Sequence, residues 1–284
     1  MTGNAGILRQ VPEWNGLAWL RHGFSTRFGG VSVVYQALHD TGTATDLNLG
    51  WTKDDCVANV IENRRRLVAA ATGSDTDTTQ LITLRQVHSA RSLVVPESPR
   101  SADFVTPEGR ALLEADGLMT TAPGSLLGIQ TADCVPVFVI DTKLRVVANF
   151  HAGWRGTAAR IVELGVAKMA AEFGSRPEDL AAAIGPSIGA CCYSVGDEVH
   201  QAFTSQFGYG EDLFTRAPDP AGPLHLDLWQ ANRRQLLDSG VAPARIAVLG
   251  ECTGCSGLPG PRRYFSHRCE HGLTGRMMSV IGIA

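Results

Sequence analysis

The sequence has no uninterrupted apolar run of membrane-spanning length and no internal repeat or low-complexity tract. Its first twenty residues lack a signal-type apolar core, so a cytoplasmic protein without a membrane partner is expected. Charge is sparse, at 19% of residues, and the formal net charge is -3. That balance leaves no basic excess to neutralise a phosphate backbone, which argues against a nucleic-acid partner. The chain also lacks a GxxxxGK[ST] phosphate loop, an HExxH helix motif and any His-x-His pair. Its seven cysteines are an odd number and form no secreted disulfide framework, which favours free thiols and a metal ligand. The CxxC at Cys252 and Cys255 has no second CxxC, and Cys191-Cys192 shares neither spacing nor motif with it. Cys269 and His267 add nothing more regular. Ordinary thiols in a rigid loop are therefore expected there, rather than a second metal.

What is present is a 284-residue chain that is 44% hydrophobic, with 31 Gly and 14 Pro. Such a chain can bury a large core and make many turns. Strand-like runs cover residues 19–28, 81–84, 91–95, 126–130, 135–140, 145–150, 181–184 and 245–250, and GRMMSVIGIA reads as a final strand. Helical periodicity follows Thr52, expected to cap a helix that ends near Thr72. A second helix is expected through GTAARIVELGVAKMAAEFG, a third after a Ser194 cap, and a fourth over residues 227–240. Residues 28–49 read as a long loop. No linker divides the chain, so the expectation is one compact α/β domain over residues 1–284, with residues 1–20 peripheral.

The sharpest chemistry lies in His88 of LRQVHSA, Cys134 of QTADCVPVFV and His151 of VVANFHAGWRGT. Each stands at the end of an apolar strand, where side chains distant in sequence can be held together. Two imidazoles and a thiolate suit zinc, and three protein ligands leave a fourth position open to water or substrate. A cysteine nucleophile with His151 or His88 as base, and Asp133 as orienting acid, uses the same residues. Convergence of all three donor atoms would separate zinc from a simple Cys–His pair.

The blocks RHGFSTRFGGVS, LRQVHSA, ADGLMTTAPGSLLGIQTADCVPV, NFHAGWRGTA, IGPSIGACCYSVGDEV and YFSHRCEHGLTGR together resemble the YfiH-like, or laccase-domain, family. The resemblance runs in order from about Arg21 to the C-terminus. It implies a layered α/β sandwich of mixed sheets and flanking helices, of the YfiH and cytotoxic-necrotising-factor type. It also implies zinc on His88, Cys134 and His151, with copper the less favoured occupant. The implied reactions are phosphorolysis of adenosine, inosine, guanosine and S-methyl-5'-thioadenosine, and deamination of adenosine. Purine nucleosides and inorganic phosphate are then the partners, and the chain acts as a monomer or homodimer. A copper-binding polyphenol oxidase, a cysteine hydrolase and a zinc-stabilised nucleotide-binding scaffold are the alternatives. Against the oxidase stands the histidine count. A copper relay that reduces oxygen needs many imidazoles, and the eight His here are scattered.

For the implied reactions, Asp133 is the candidate acid/base beside the thiol ligand. An HxE and PCxxC deaminase arrangement is missing. Arg27 and Arg155 are the leading phosphate contacts, and Arg64 and Arg268 are weaker ones. Gln86 and Asn48 are candidate hydrogen-bonding partners of the substrate, and Phe28, Trp154 or Tyr193 could stack on a purine. Where the family commonly carries an SYRR-like run, this chain has Ser266-His267-Arg268-Cys269. That change leaves Arg268 as the cation at the rim.

Overall fold

The computed structural model describes residues 6–35, 45–75, 78–216 and 222–284. Among these residues the strands form three sheets. A five-stranded sheet runs in the order Leu8–Arg9, Leu20–Ser25, Met277–Ile283, Ser125–Thr131, Gln80–Thr83. A six-stranded sheet runs Ile246–Val248, Leu180–Ile184, Val135–Asp141, Val146–Ala152, Gly117–Thr120, Ser92–Val94. A small third sheet joins Ser194–Val195, Leu224–Leu226 and Phe214–Arg216. The apolar tail therefore enters the middle of a sheet rather than its edge.

Successive strand residues point to opposite faces, and this alternation sorts the core into layers. Phe138, Ile140, Val147, Ala181 and Ala183 pack with Leu127, Ile129 and Ile281 between the two large sheets. Their neighbours Val137, Val139, Val146, Ala148 and Ala182 face the other way, onto the helices Ile161–Phe173 and Leu228–Asp238. Leu126, Met278 and Val280 turn outward to Leu67 and Ala71 of the helix Val57–Thr72. The result is a helix–sheet–sheet–helix sandwich, which is the mixed α/β class expected. One polar residue spans its interior. The Asn149 side-chain amide donates to the carbonyls of Leu127 (2.9 Å) and Ser279 (3.0 Å), so its burial between the sheets leaves no donor unmet.

Four local expectations need correction. Thr52 does not cap the first helix, which begins after Cys56; the Thr52 hydroxyl instead lies 2.6 Å from the Tyr35 phenol. The helix expected to run on from Gly156 breaks at Arg160, whose φ is 62°. The Thr157 carbonyl accepts there from Arg160 N at 2.9 Å and from Gln235 Nε2 at 2.8 Å, a tight turn in place of the next helical bond. Ser194 lies in a strand, and its carbonyl accepts from Arg268 Nη1 at 2.6 Å, so the following helix starts at Asp197 without it. Residues 28–49 are not all loop, because Phe28–Ser32 is a strand; residues 36–44 of that segment lie outside the described residues. Among the described residues of the first twenty, a stretch expected to be peripheral, Ile7, Val11, Trp14 and Leu20 are buried.

Antiparallel and parallel pairings decide which strand ends meet. Val135–Asp141 starts where the antiparallel Val146–Ala152 finishes, and Gly117–Thr120 and Ser92–Val94 start at that same end. Leu180–Ile184 and its parallel partner Ile246–Val248 finish there too. One edge of the six-stranded sheet thus collects Asp116, Cys134, His151 and the loops that follow Ile184 and Val248.

Candidate metal centre

At this edge His88, Cys134 and His151 bring one donor atom each to within 4.8 Å of one another. The two imidazole rings meet edge to face with centroids 4.9 Å apart. His88 has φ 60° and Asp133 has φ 90°, left-handed conformations that turn the chain sharply at one ligand and just before another, Cys134. Gly153 explains part of the glycine content after His151. A Cβ there would stand 2.7 Å from Cys134 Sγ and 3.2 Å from His88 Cδ2, so a side chain would intrude on the donors.

Asp116 organises the group. Its Oδ1 lies 2.9 Å from His151 Nδ1, and its carboxylate accepts from the backbone amides of His88 (3.0 Å) and Ser89 (2.7 Å). One buried acid thus orients one imidazole and folds the loop that carries the other. Such a carboxylate–histidine contact fixes the tautomer and leaves Nε2 directed at a metal. Burial opposes ionisation of Asp116, but the His151 and Ser89 hydrogen bonds prevail and hold it at about 2. Burial also pushes the Cys134 thiol up, yet the His151 charge and the bonds from both histidines bring it down to about 6. His151 shows the converse: burial lowers it, while Cys134 and Asp116 raise it to about 9. These shifts favour a thiolate on Cys134 and a proton on His151.

The triad opens into a cleft of about 790 Å³, also lined by Trp51, Gln86, Tyr193, His267, Arg268 and Arg276. Arg268 lies over the Tyr193 ring at 5.2 Å. Burial lowers the Arg276 guanidinium below its ordinary value, so part of its charge is poorly solvated. Such a cation gains when an anion enters.

Several residues expected around substrate are committed elsewhere. Arg27 is fully buried, paired through Nε with Asp46 (2.9 Å) and through Nη1 with Glu270 (2.8 Å), and it stacks on Phe265. Asn48 is buried and bonded to Asp55 and the Arg276 amide. Arg64 donates to the carbonyls of Leu49 and Gly109. Arg155 is exposed, with its guanidinium 4.1 Å from the centroid of Trp154, outside the cleft lining. Gln86 does line the cleft, but its amide is closed in a two-way pairing with the Gln130 backbone at 2.8 Å each way. Asp133 also lines it, yet its carboxylate accepts from Thr253 Oγ1 (2.6 Å), Ser266 Oγ (2.7 Å) and the Arg268 amide (2.7 Å). Those bonds suit it to pinning loops better than to passing protons. Asp116 and Arg276 were missed. Both sit inside motif blocks, ADGLM and GLTGR, but neither has a chemical neighbour in sequence that marks its role.

A family model described as multi-copper polyphenol oxidoreductase laccase matches residues 21–284. The chain belongs to this laccase-like family. The purine nucleoside phosphorylase YlmD of Geobacillus stearothermophilus is 36% identical over 263 residues, covering 92% of this chain and 89% of that relative. An adenosine deaminase, RL5, from an unknown prokaryotic organism is 39% identical over 191 residues, covering 67% and 71%. The crystal structure of the Bacillus licheniformis hypothetical protein YfiH superposes with a TM-score of 0.83 at 33% identity, covering 99% of this chain and 98% of that one. The family's oxidase description and its relatives' nucleoside names thus point to different chemistry on one fold.

Proposed function

We propose that this chain is a zinc-dependent purine nucleoside phosphorylase acting on adenosine, inosine, guanosine and S-methyl-5'-thioadenosine, with adenosine deaminase activity. The observation that carries the reading is three convergent donors, two imidazoles and a thiol, facing a cleft that also holds Arg268 and Arg276. The donor set fits zinc, since its spacing needs only a small inward movement to reach bonds of about 2.0–2.3 Å. Zinc bound there would supply a Lewis acid at the cleft floor. His88, Cys134 and His151 would hold it, and Asp116 would keep His151 aligned.

In phosphorolysis a phosphate oxygen bonds to the anomeric carbon while the bond to the purine nitrogen breaks, giving free base and ribose 1-phosphate. Arg268 and Arg276 would hold the phosphate and offset its charge, and Trp51 and Tyr193 line the cleft in which the base would lie. Asp133 keeps the Arg268 loop in place through its accepted bonds. The assay is adenosine and S-methyl-5'-thioadenosine with and without phosphate, following base and inosine separately. Phosphate-dependent base release is expected. A zinc-loaded protein that converts neither nucleoside overturns the reading.

Copper is the competing occupant, favoured by the family's description. Among the described residues, however, the other potential metal-binding group consists of four cysteines and no histidine. That is a poor match to an imidazole-rich oxygen-reducing cluster. Polyphenol oxidation by the copper-loaded protein, without nucleoside turnover by the zinc form, would select the oxidase.

A further inference from the structure

The sequence spacing favours ordinary thiols at Cys191, Cys192, Cys252 and Cys255, yet the fold brings the four together. Their four sulfurs all lie within 4.8 Å of one another. The convergence is built by the sheet: Leu180–Ile184 and Ile246–Val248 pair in parallel, so the loops after them leave the same edge side by side. Backbone contacts then lock the loops together, with Ser187 N donating to the Glu251 carbonyl (3.2 Å) and Thr253 N to the Ser187 carbonyl (3.0 Å). We propose that these four cysteines form a second metal site, distinct from the cleft, that binds zinc as a closed structural tetrathiolate.

Distance separates this from a disulfide. A tetrahedron with zinc–sulfur bonds of about 2.3 Å has sulfur–sulfur edges of about 3.8 Å. Cys191 and Cys255 sulfurs are 3.7 Å apart, near that edge and far from a covalent bond of about 2.05 Å. The turn is shaped around the sulfurs. A Cβ on Gly254 would meet Cys192 Cβ at 2.9 Å and Cys192 Sγ at 3.1 Å, so only glycine lets the CxxC turn close on the Cys-Cys pair. The Gly189 amide donates to Cys252 Sγ at 3.2 Å, the kind of bond that supports a negatively charged sulfur. Arg262 Nε donates to the Gly254 carbonyl at 2.9 Å and brings a positive charge to a site that four thiolates and Zn²⁺ would leave at minus two. Cys252 is buried, whereas Cys191 is exposed, which gives the ion a way in. Zinc entry displaces the thiol protons to solvent and changes no oxidation state.

Four protein ligands leave no open coordination position, so the site is structural rather than catalytic. Its place in the fold says what it stabilises. Cys192 precedes Tyr193, a cleft residue, and Thr253 donates to Asp133 beside Cys134. The ion would clasp the two loops that support one wall of the cleft.

The test is metal stoichiometry on reduced protein, with Zn²⁺ and Co²⁺ as probes. The His151→Ala variant removes a donor from the cleft triad and leaves the four cysteines intact. It should bind one equivalent of Zn²⁺, with a sulfur-only shell at about 2.3 Å by X-ray absorption. With Co²⁺ it should show thiolate charge-transfer bands of a tetrahedral site. Cys252→Ser with Cys255→Ser should abolish that signal, and wild type that binds two equivalents supports both sites. Wild type holding a single zinc, retained in His151→Ala on four sulfurs, would keep this site and remove the one in the cleft. Reduced His151→Ala that takes up neither metal overturns the proposal. So does native protein in which intact mass and thiol count show these cysteines joined as disulfides.

Discussion

The His88–Cys134–His151 triad hangs from strand ends and faces an open cleft, whereas the four-cysteine group lies in two loops and closes on itself. Both gather at one edge of the six-stranded sheet, so the fold supplies the same scaffold to each. The difference is in what the surroundings leave undone. The triad has three donors, a carboxylate behind one imidazole and arginines across the cleft, which leaves room for chemistry at a fourth position. The tetrathiol group would complete its own coordination, and its loops meet the cleft wall through Tyr193, the Thr253–Asp133 bond and the Ile188 amide on the Asp133 carbonyl. On the proposed reading, an open site beside a closed one would divide reaction from support.

The comparison breaks most completely at His151. His151→Ala should lower kcat/KM for nucleoside phosphorolysis by about a thousandfold or more and remove zinc from the cleft alone. Steady-state kinetics with metal analysis check it, and near-normal turnover would remove the triad from the mechanism.

Proton competition at the triad comes next. With His151 raised to about 9, a proton must leave it before zinc binds at neutral pH. Cys134, brought down to about 6, is already mainly thiolate there. Between pH 9 and 6 apparent zinc affinity should therefore fall about tenfold per unit of acidification, or about a hundredfold from pH 8 to 6. Below pH 6 the slope should steepen as Cys134 also takes a proton. Chelator competition on Cys252→Ser with Cys255→Ser protein isolates this site. A flat profile from 6 to 9 would show that His151 holds no competing proton.

Asp116→Asn keeps the shape of the carboxylate but removes its charge, so His151 loses the partner that fixes its tautomer. Zinc affinity in the cleft should fall about 10–100-fold while the tetrathiol site is untouched. Equal losses at both sites would mean that the substitution disturbs the sheet edge as a whole.

These contrasts also explain what could be read from sequence. His88, Cys134 and His151 were legible because each is a single polar ligand at the end of an apolar run. The four cysteines were not, because their meeting depends on the parallel pairing of Leu180–Ile184 with Ile246–Val248, which spacing alone does not reveal. Arg27 failed in the other direction. Its motif marks it as important, but Asp46 and the far-distant Glu270 bury it as a structural ion pair. Helix starts failed where tertiary contacts claimed the expected caps, as Tyr35 claims Thr52. The Asp227 cap was not among the expectations, yet it holds, accepting from Gln230 N at 2.9 Å within a helix whose span was expected.

The smallest effect tests whether the two regions communicate. Thr253 lies between Cys252 and Cys255, is fully buried, and donates to Asp133 Oδ1 at 2.6 Å. Thr253→Val keeps the side-chain shape and deletes that donor. Asp133 still accepts from Ser266 and the Arg268 amide, so its carboxylate is weakened rather than abandoned. Thermal or denaturant unfolding should show a loss of about 1–3 kcal/mol, the range for removing one partner of a buried hydrogen bond. Zinc content should stay unchanged at both sites, and kcat/KM should fall less than tenfold because the triad donors do not move. A full loss of activity would mean that the bond carries the mechanism rather than the wall. Unchanged stability would mean that the closed site and the open one are neighbours without being coupled.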